Sequence, residues 1–212
     1  MKKYKINTLK KKLKKFNIVI FDLDNTIYNE DNFIKPSLQK VSRFLSQEMK
    51  LEEKMVFFKL MKLKYKGNDQ KIFNSFLSNY KLPNQKFTNL VKKSVKLYQT
   101  YNCKNLENSN SLKNYLKKLC KLKTLYLVTN GDYFRQKNKI TKLKIQNYFK
   151  KIYILDRKRT DIKPSTKNLG NLKKIIKKEG AKYSVYVGDN SKIDKKFAEN
   201  LKISFVKFVF KY

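Results

Sequence analysis

Four short apolar runs, each followed at once by polar residues able to do chemistry, constrain this chain more than any other feature. Ile18-Val19-Ile20-Phe21 runs into Asp22-Leu23-Asp24-Asn25-Thr26. Thr124-Leu125-Tyr126-Leu127-Val128 runs into Thr129-Asn130-Gly131-Asp132. Lys151-Ile152-Tyr153-Ile154-Leu155 leads into a polar loop, Asp156–Pro164, that carries Lys163. Tyr183-Ser184-Val185-Tyr186-Val187 closes on Gly188-Asp189, with Asp194 five residues on. Runs this short suit buried strands and are too short for most helices. Helical patterns are expected near 110–121, from Tyr133, at 165–179 ending at Gly180, and near 192–201, with a last strand at Ile203–Phe208. Strands alternating with helices define the α/β class, a parallel sheet covered on both faces. Ligands bind beyond the carboxyl ends of such strands, so the polar residues that close the runs are expected to converge on one edge. If the first strand stays extended through Asp24, Asp22 and Asp24 point the same way.

Between the first and second strands lies a stretch with helical spacing and no strand pattern, about 33–102. Ser37 opens a segment with Leu38, Val41, Phe44 and Leu45 at helical spacing, and Pro36 stands as a helix-start neighbour. Met55, Val56, Phe58 and Leu60 give a second helix, and Gly67-Asn68-Asp69 is a turn signal. Ile72, Phe73, Phe76 and Leu77 give a third, and Phe87, Leu90, Val91, Val95, Leu97 and Tyr98 a fourth. The division expected is a basic N-terminal extension at 1–15, a Rossmann-like three-layer core at 16–30 and 105–212, and an all-helical cap at 31–104 set over the site. In the extension, Ile6, Leu9, Leu13 and Phe16 form a narrow helical stripe among many lysines, read as a frayed or loosely docked helix.

Composition narrows the chemistry. There is no histidine, which removes histidine bases, Ser-His and Cys-His triads and His-ligated metals. Cys103 and Cys120 make neither a disulfide framework nor a zinc spacing. A metal site must therefore be built from oxygen, which favours Mg²⁺. No apolar run approaches the ~20 residues of a membrane span, and the run after the basic start is too short for a signal peptide, so a soluble, cytoplasmic protein is expected. The net charge is +36, yet only four of the 52 basic residues are arginine. Abundant Lys, Asn, Ile, Phe and Tyr with scarce Gly and Pro is the skew of an A+T-rich genome, so the charge alone is discounted as a sign of nucleic acid or anionic membrane. A contact of that kind through residues 1–15 remains the alternative reading.

The convergent set is Asp22, Asp24, Asp189 and Asp194 with Lys163, Thr129 and Asn130. Clustered carboxylates repel unless a cation lies between them. A lysine, a hydroxyl and an amide suit the oxygens of a phosphoryl group. These motifs resemble those of the haloacid dehalogenase-like superfamily over residues 16–210. Phe21-Asp22-Leu23-Asp24-Asn25-Thr26 resembles its first motif, Val128-Thr129-Asn130 its second, Lys163-Pro164 its third, and Gly188-Asp189-Asn190-Ser191-Lys192-Ile193-Asp194 its fourth, with Ala198 in the helix beyond. The inserted helices match the family's helical C1 cap.

The resemblance implies roles. Asp22 is the nucleophile that forms an aspartyl-phosphate, and Asp24 the general acid and base. Mg²⁺ is held by Asp22, the main-chain carbonyl of Asp24, and Asp189, with Asp194 as a ligand or its supporting partner. Thr129, Asn130 and Lys163 hold the phosphoryl group. The dehalogenase branch lacks the second acid, so Asp24 points to phosphoryl chemistry. The implied activity is a Mg²⁺-dependent phosphatase of a small phosphorylated metabolite, a nucleotide or sugar phosphate, with no obligate protein partner and a cap that closes during transfer. The alternatives are a phosphosugar mutase of the same superfamily and a nucleic-acid or anionic-membrane binding protein on this scaffold. Two departures stand out. Lys202 occupies a position where the family often has glycine, which suggests a different turn into the last strand. The loop before Lys163 is unusually basic, with Arg157, Lys158 and Arg159.

Overall fold

The computed structural model describes residues 2–66, 71–102 and 110–210, with side chains from residue 6 in the first stretch and residue 112 in the last. Cys103 and the turn signal Gly67-Asn68-Asp69 lie outside the described residues. The chain divides into two compact units, Met1–Glu30 with Lys104–Tyr212, and Asp31–Cys103.

The first unit is built on β1 (Ile18–Phe21), β2 (Thr124–Asn130), β3 (Lys151–Leu155), β4 (Ser184–Gly188) and β5 (Ser204–Lys207), in the order β3-β2-β1-β4-β5. Every neighbouring pair is parallel. Ile20 stands opposite Tyr126 on one side and Tyr186 on the other. Alternation then sorts the side chains. Ile18, Ile20, Tyr126, Val128 and Tyr186 share a core with Leu172 and Ile176 of α8 (Gly170–Glu179) and Phe197 of α9 (Ile193–Asn200). Their sequence neighbours Val19, Phe21, Leu125, Leu127, Val185 and Val187 are equally buried and point to the opposite face. Helix α6 (Asn110–Leu122) packs on β2, and α7 (Tyr133–Leu143) on β3. The result is a three-layer Rossmann-like core, as the strand pattern implies.

Helix α1 (Lys2–Leu13) belongs to this unit. Its stripe Ile6, Leu9 and Leu13, with Phe16, is buried, and the helix packs on α6. Lys123 fixes its end by donating through Nζ to the carbonyls of Lys14 (3.1 Å) and Phe16. The stripe is therefore a docking face rather than a frayed one. Helix α8 starts at Gly170, five residues later than the pattern suggests, because Ser165–Leu169 is taken up by two successive turns closed at Ser165 N→Ile162 O (2.9 Å) and Leu169 N→Thr166 O (3.2 Å). Lys202 has φ 56°, the left-handed conformation that glycine favours. The turn into β5 is thus of the kind glycine makes, with lysine in it.

The second unit contains α2 (Asp31–Met49), α3 (Glu53–Tyr65), α4 (Ile72–Leu77) and α5 (Asn84–Gln99), and its described residues form no strand. Helix α2 packs on α3 and α5, and α4 on both α3 and α5. Tyr98 takes edge contacts from Phe33 (5.8 Å) and Phe73 (5.9 Å). Pro36 does not begin α2 but lies inside it. The apolar stripe starts earlier, at Phe33 and Ile34, and burial there outweighs one lost backbone bond. The Ser37 hydroxyl beside it donates to the carbonyls of Phe33 (2.6 Å) and Ile34 (2.9 Å).

Candidate active site

The carboxyl ends of β1, β2 and β4 and the loop after β3 meet on the first unit's sheet edge. Asp22 directly follows β1, and its N–H extends the ladder to the Val187 carbonyl at 2.8 Å. Lys163 reaches beneath it. Its Nζ donates to Asp22 Oδ1 (2.6 Å), Asp194 Oδ1 (2.7 Å) and the Tyr186 hydroxyl (2.7 Å). Tyr186 in turn donates to the Val128 carbonyl at 3.1 Å. All four side chains are buried, so lysine, two acids and tyrosine form one fixed network.

Asp194 is held from both sides, since its Oδ2 also accepts from the Asn190 N–H at 3.0 Å. Gly188 explains why glycine precedes Asp189. A Cβ there would lie 2.4 Å from Asp194 Oδ2, an atom that the two hydrogen bonds prevent from moving. Asp189 is half-buried. Carboxylate oxygens of Asp22, Asp189 and Asp194 lie within 4.8 Å of one another.

The electrostatics follow from crowding. Burial pushes Asp22 up to about 7; Lys163 opposes this, while Asp194 and Asp24 add to it. Burial and the neighbouring Asp194 push Asp189 up to about 6. The Lys163 ammonium is held above its ordinary value: burial alone would lower it, but Asp22 and Asp194 outweigh that. Three acids crowd around one lysine, and two of them hold protons more tightly because ionising all three would leave surplus negative charge. An all-oxygen donor set with that surplus fits a hard divalent cation.

Asp24 belongs to a different set. Strand β1 ends before it, and an isolated bridge pairs Asp24 with Tyr28. Its Oδ1 accepts from the Tyr28 hydroxyl (2.5 Å) and Lys139 Nζ (2.8 Å), and its Oδ2 from Gln136 Nε2 (2.8 Å). Burial alone would raise this carboxyl, but Lys139 and the three hydrogen bonds hold it below the usual range. Lys139 is fully buried and also pairs with Glu30 Oε1 at 3.2 Å. Gln136 Nε2 reaches the Thr129 hydroxyl as well, at 2.8 Å.

Asn130, read as a phosphate ligand, has its side chain engaged with Lys163. Its Oδ1 accepts from the Lys163 N–H (2.9 Å) and its Nδ2 donates to the Lys163 carbonyl (3.3 Å). It ties the end of β2 to the loop that delivers the lysine. Lys139, Gln136, Tyr28 and Tyr186 escaped the sequence reading. One signal was there: Gln136, Lys139, Ile140 and Leu143 are the buried face of α7, so two polar residues occupy stripe positions.

A family model for haloacid dehalogenase-like hydrolases matches residues 19–208. With that match over a sheet of this order, the chain belongs to the haloacid dehalogenase-like hydrolase family. Similar solved structures include a protein assigned as the HAD-hydrolase YfnB from Bacillus subtilis, bound to magnesium (17% identity, TM-score 0.63, 92% of this chain and 89% of that one). A protein assigned as a phosphatase from Clostridium difficile matches at 20% identity and TM-score 0.64, over 91% of this chain and 85% of that one. A 2-haloacid dehalogenase from Pseudomonas syringae matches at 16% identity and TM-score 0.61, over 91% and 86%. At these identities the likeness establishes the fold alone. No curated protein sequence matches the chain.

Proposed function

We propose that this hydrolase is a Mg²⁺-dependent phosphatase of small phosphorylated metabolites, acting through an aspartyl-phosphate on Asp22. The observation that carries the reading is Asp24: a second acid two residues beyond Asp22, close enough to raise its pKa, with both oxygens held by side chains of the same unit. Displacement of a halide needs no proton for its leaving group, whereas an alkoxide leaving from phosphorus does.

An Asp22 oxygen attacks phosphorus, and the P–O bond to the leaving group breaks as that oxygen takes a proton from Asp24. In the resting site Lys139 and three hydrogen bonds hold Asp24 ionised, so it must take up a proton and give up one of those donors as substrate binds. Water then attacks phosphorus of the aspartyl-phosphate and gives its proton to Asp24; the P–O bond to Asp22 breaks, inorganic phosphate leaves, and both acids are restored for the next turn. Lys163 offsets charge on Asp22 and the transferring group, and the Thr129 hydroxyl and the main chain after β2 face its oxygens. Asp22, the Asp24 carbonyl and Asp189 would hold Mg²⁺, with Asp194 bracing Lys163 beside them. The ion, when bound, supplies charge neutralisation for the phosphoryl oxygens.

The test is a screen of phosphomonoesters with Mg²⁺. Phosphate release is expected from the wild type and a loss of about 10³-fold or more from Asp22→Asn. Full activity in Asp22→Asn would overturn the mechanism.

A further inference from the structure

Arginine is rare here, and its placement is uneven. Three of the four arginines, Arg135, Arg157 and Arg159, lie between Asn130 and Lys163. Lysine is the default cation of this composition, so arginine is informative where a planar guanidinium does what an ammonium cannot.

Arg159 is such a place. Its guanidinium carbon lies 4.8 Å from the Tyr133 ring centroid and 5.5 Å from that of Phe134. The two rings meet edge-on at 5.7 Å and 83°. Phe134 is 56% exposed, far more than packing alone requires. The buried Asp156 fixes the whole cluster. Its Oδ2 accepts from the Tyr133 N–H (3.0 Å), its Oδ1 from the Lys158 N–H (3.0 Å), and its carbonyl from the Arg159 N–H (2.7 Å). Gly131 N–H joins the same two loops by donating to the Leu155 carbonyl at 3.0 Å. The backbone that carries Tyr133 and Arg159 is thus anchored to one residue, Asp156, and no described carboxylate forms an ion pair with Arg159.

A guanidinium held against aromatic faces keeps its N–H donors, and carboxylate or phosphate can take two of them through parallel hydrogen bonds. Tyr133 follows Asn130 by three residues, so their backbones lie at most about 11 Å apart. That limit is within the reach of a small metabolite with a charged group at each end. Resting on the phosphatase reading above, we propose that Arg159, held against Tyr133 and Phe134, is a subsite for a second anionic group, carboxylate or phosphate, on the leaving part of the substrate.

The test compares paired esters with Mg²⁺: 2-phosphoglycolate against ethyl phosphate, and propane-1,3-diol bisphosphate against propyl phosphate. The wild type is expected to prefer the doubly charged member of at least one pair by about ten-fold or more in kcat/KM, the scale of a hydrogen bond to a charged group. The pair that shows the preference tells carboxylate from phosphate. Arg159→Lys and Arg159→Gln should collapse that ratio. A wild type without preference, or variants that lower both members alike and keep the ratio, would overturn the subsite and leave Arg159 a structural element. If the wild type releases phosphate from no ester, the phosphatase reading fails separately. Calorimetric titration with 2-phosphoglycolate and with propane-1,3-diol bisphosphate then decides the subsite. Binding of one of them weakened about ten-fold in Arg159→Gln supports it, and equal or absent binding of both overturns it.

Discussion

Lys139 has a fully buried ammonium facing two carboxylates, Asp24 and Glu30. Truncating one partner of such a pair leaves the other charge uncompensated in a poorly solvated place. Lys139→Met is expected to cost about 3 kcal/mol, measured by urea unfolding, and to slow turnover of alkyl esters more than of nitrophenyl phosphate. The better leaving group depends less on a positioned Asp24. The acids next to Lys163 make a second, signed prediction. Asp22 at about 7 and Asp189 at about 6 bind protons more tightly in the folded chain than in the unfolded one. The folded state therefore loses stability as pH rises from the ordinary aspartate range through 6 to 7. Asp24, held low, acts oppositely, and its contribution is lost in acid. Mg²⁺ competes with those protons, so its stabilisation, read as a shift in Tm, should be larger at pH 7.5 than at pH 5. An equal shift at both would mean the ion binds elsewhere. Asp22, Thr129 and Asp189 were legible in the sequence because each ends a strand or follows one directly, where strand periodicity fixes position, and Lys163, in the loop well beyond β3, through its resemblance to the family's third motif. Lys139 and Gln136 were not, because the buried side of a helix is set by what packs on it.

Helix α1 was half-legible at the scale of elements. Its stripe stood out, but whether a lysine-rich stripe docks depends on α6, about a hundred residues away in sequence. Burying Leu9 and Leu13 almost completely is worth about 1.5–3 kcal/mol each before the entropy of ordering the helix is subtracted. Removing residues 1–15 should therefore lower unfolding stability by up to about 3 kcal/mol. A truncated chain as stable as the full one would show that the helix only rests on the unit. Helix ends tell a related story. Lys50, Lys144 and Lys202 each adopt φ between 52° and 56°, just beyond α2, α7 and α9. Left-handed backbone costs a side-chain-bearing residue about 1 kcal/mol relative to glycine. Lys202→Gly should raise stability by up to that amount, read from the urea midpoint. With only five glycines in the chain, these turns could not be read from residue identity. Pro36 misled for the opposite reason: a strong local signal for a helix start was overruled by apolar residues on its N-terminal side.

Fold class was legible for the whole molecule because strand and helix periods alternate without ambiguity over 105–212, and a parallel sheet is their consequence. The charge was harder to interpret, since composition bias and function leave the same mark. Its physical effect does not depend on its origin. At +36, with 52 basic residues against 16 acidic ones, like charges repel across the folded surface, and that repulsion is relieved when the chain expands. The same field draws phosphorylated anions toward the site. Salt screens both, with a Debye length falling from about 30 Å at 0.01 M to about 8 Å at 0.15 M. The two consequences have opposite signs, which makes them separable from a general salt effect. Raising NaCl across that range should increase Tm while decreasing kcat/KM for a phosphomonoester, with kcat far less affected because Lys163 and the acids are buried. Contact ion pairs on the surface predict the reverse for stability, since salt weakens them. A Tm that falls with salt would therefore show that local pairing, not net repulsion, governs this surface.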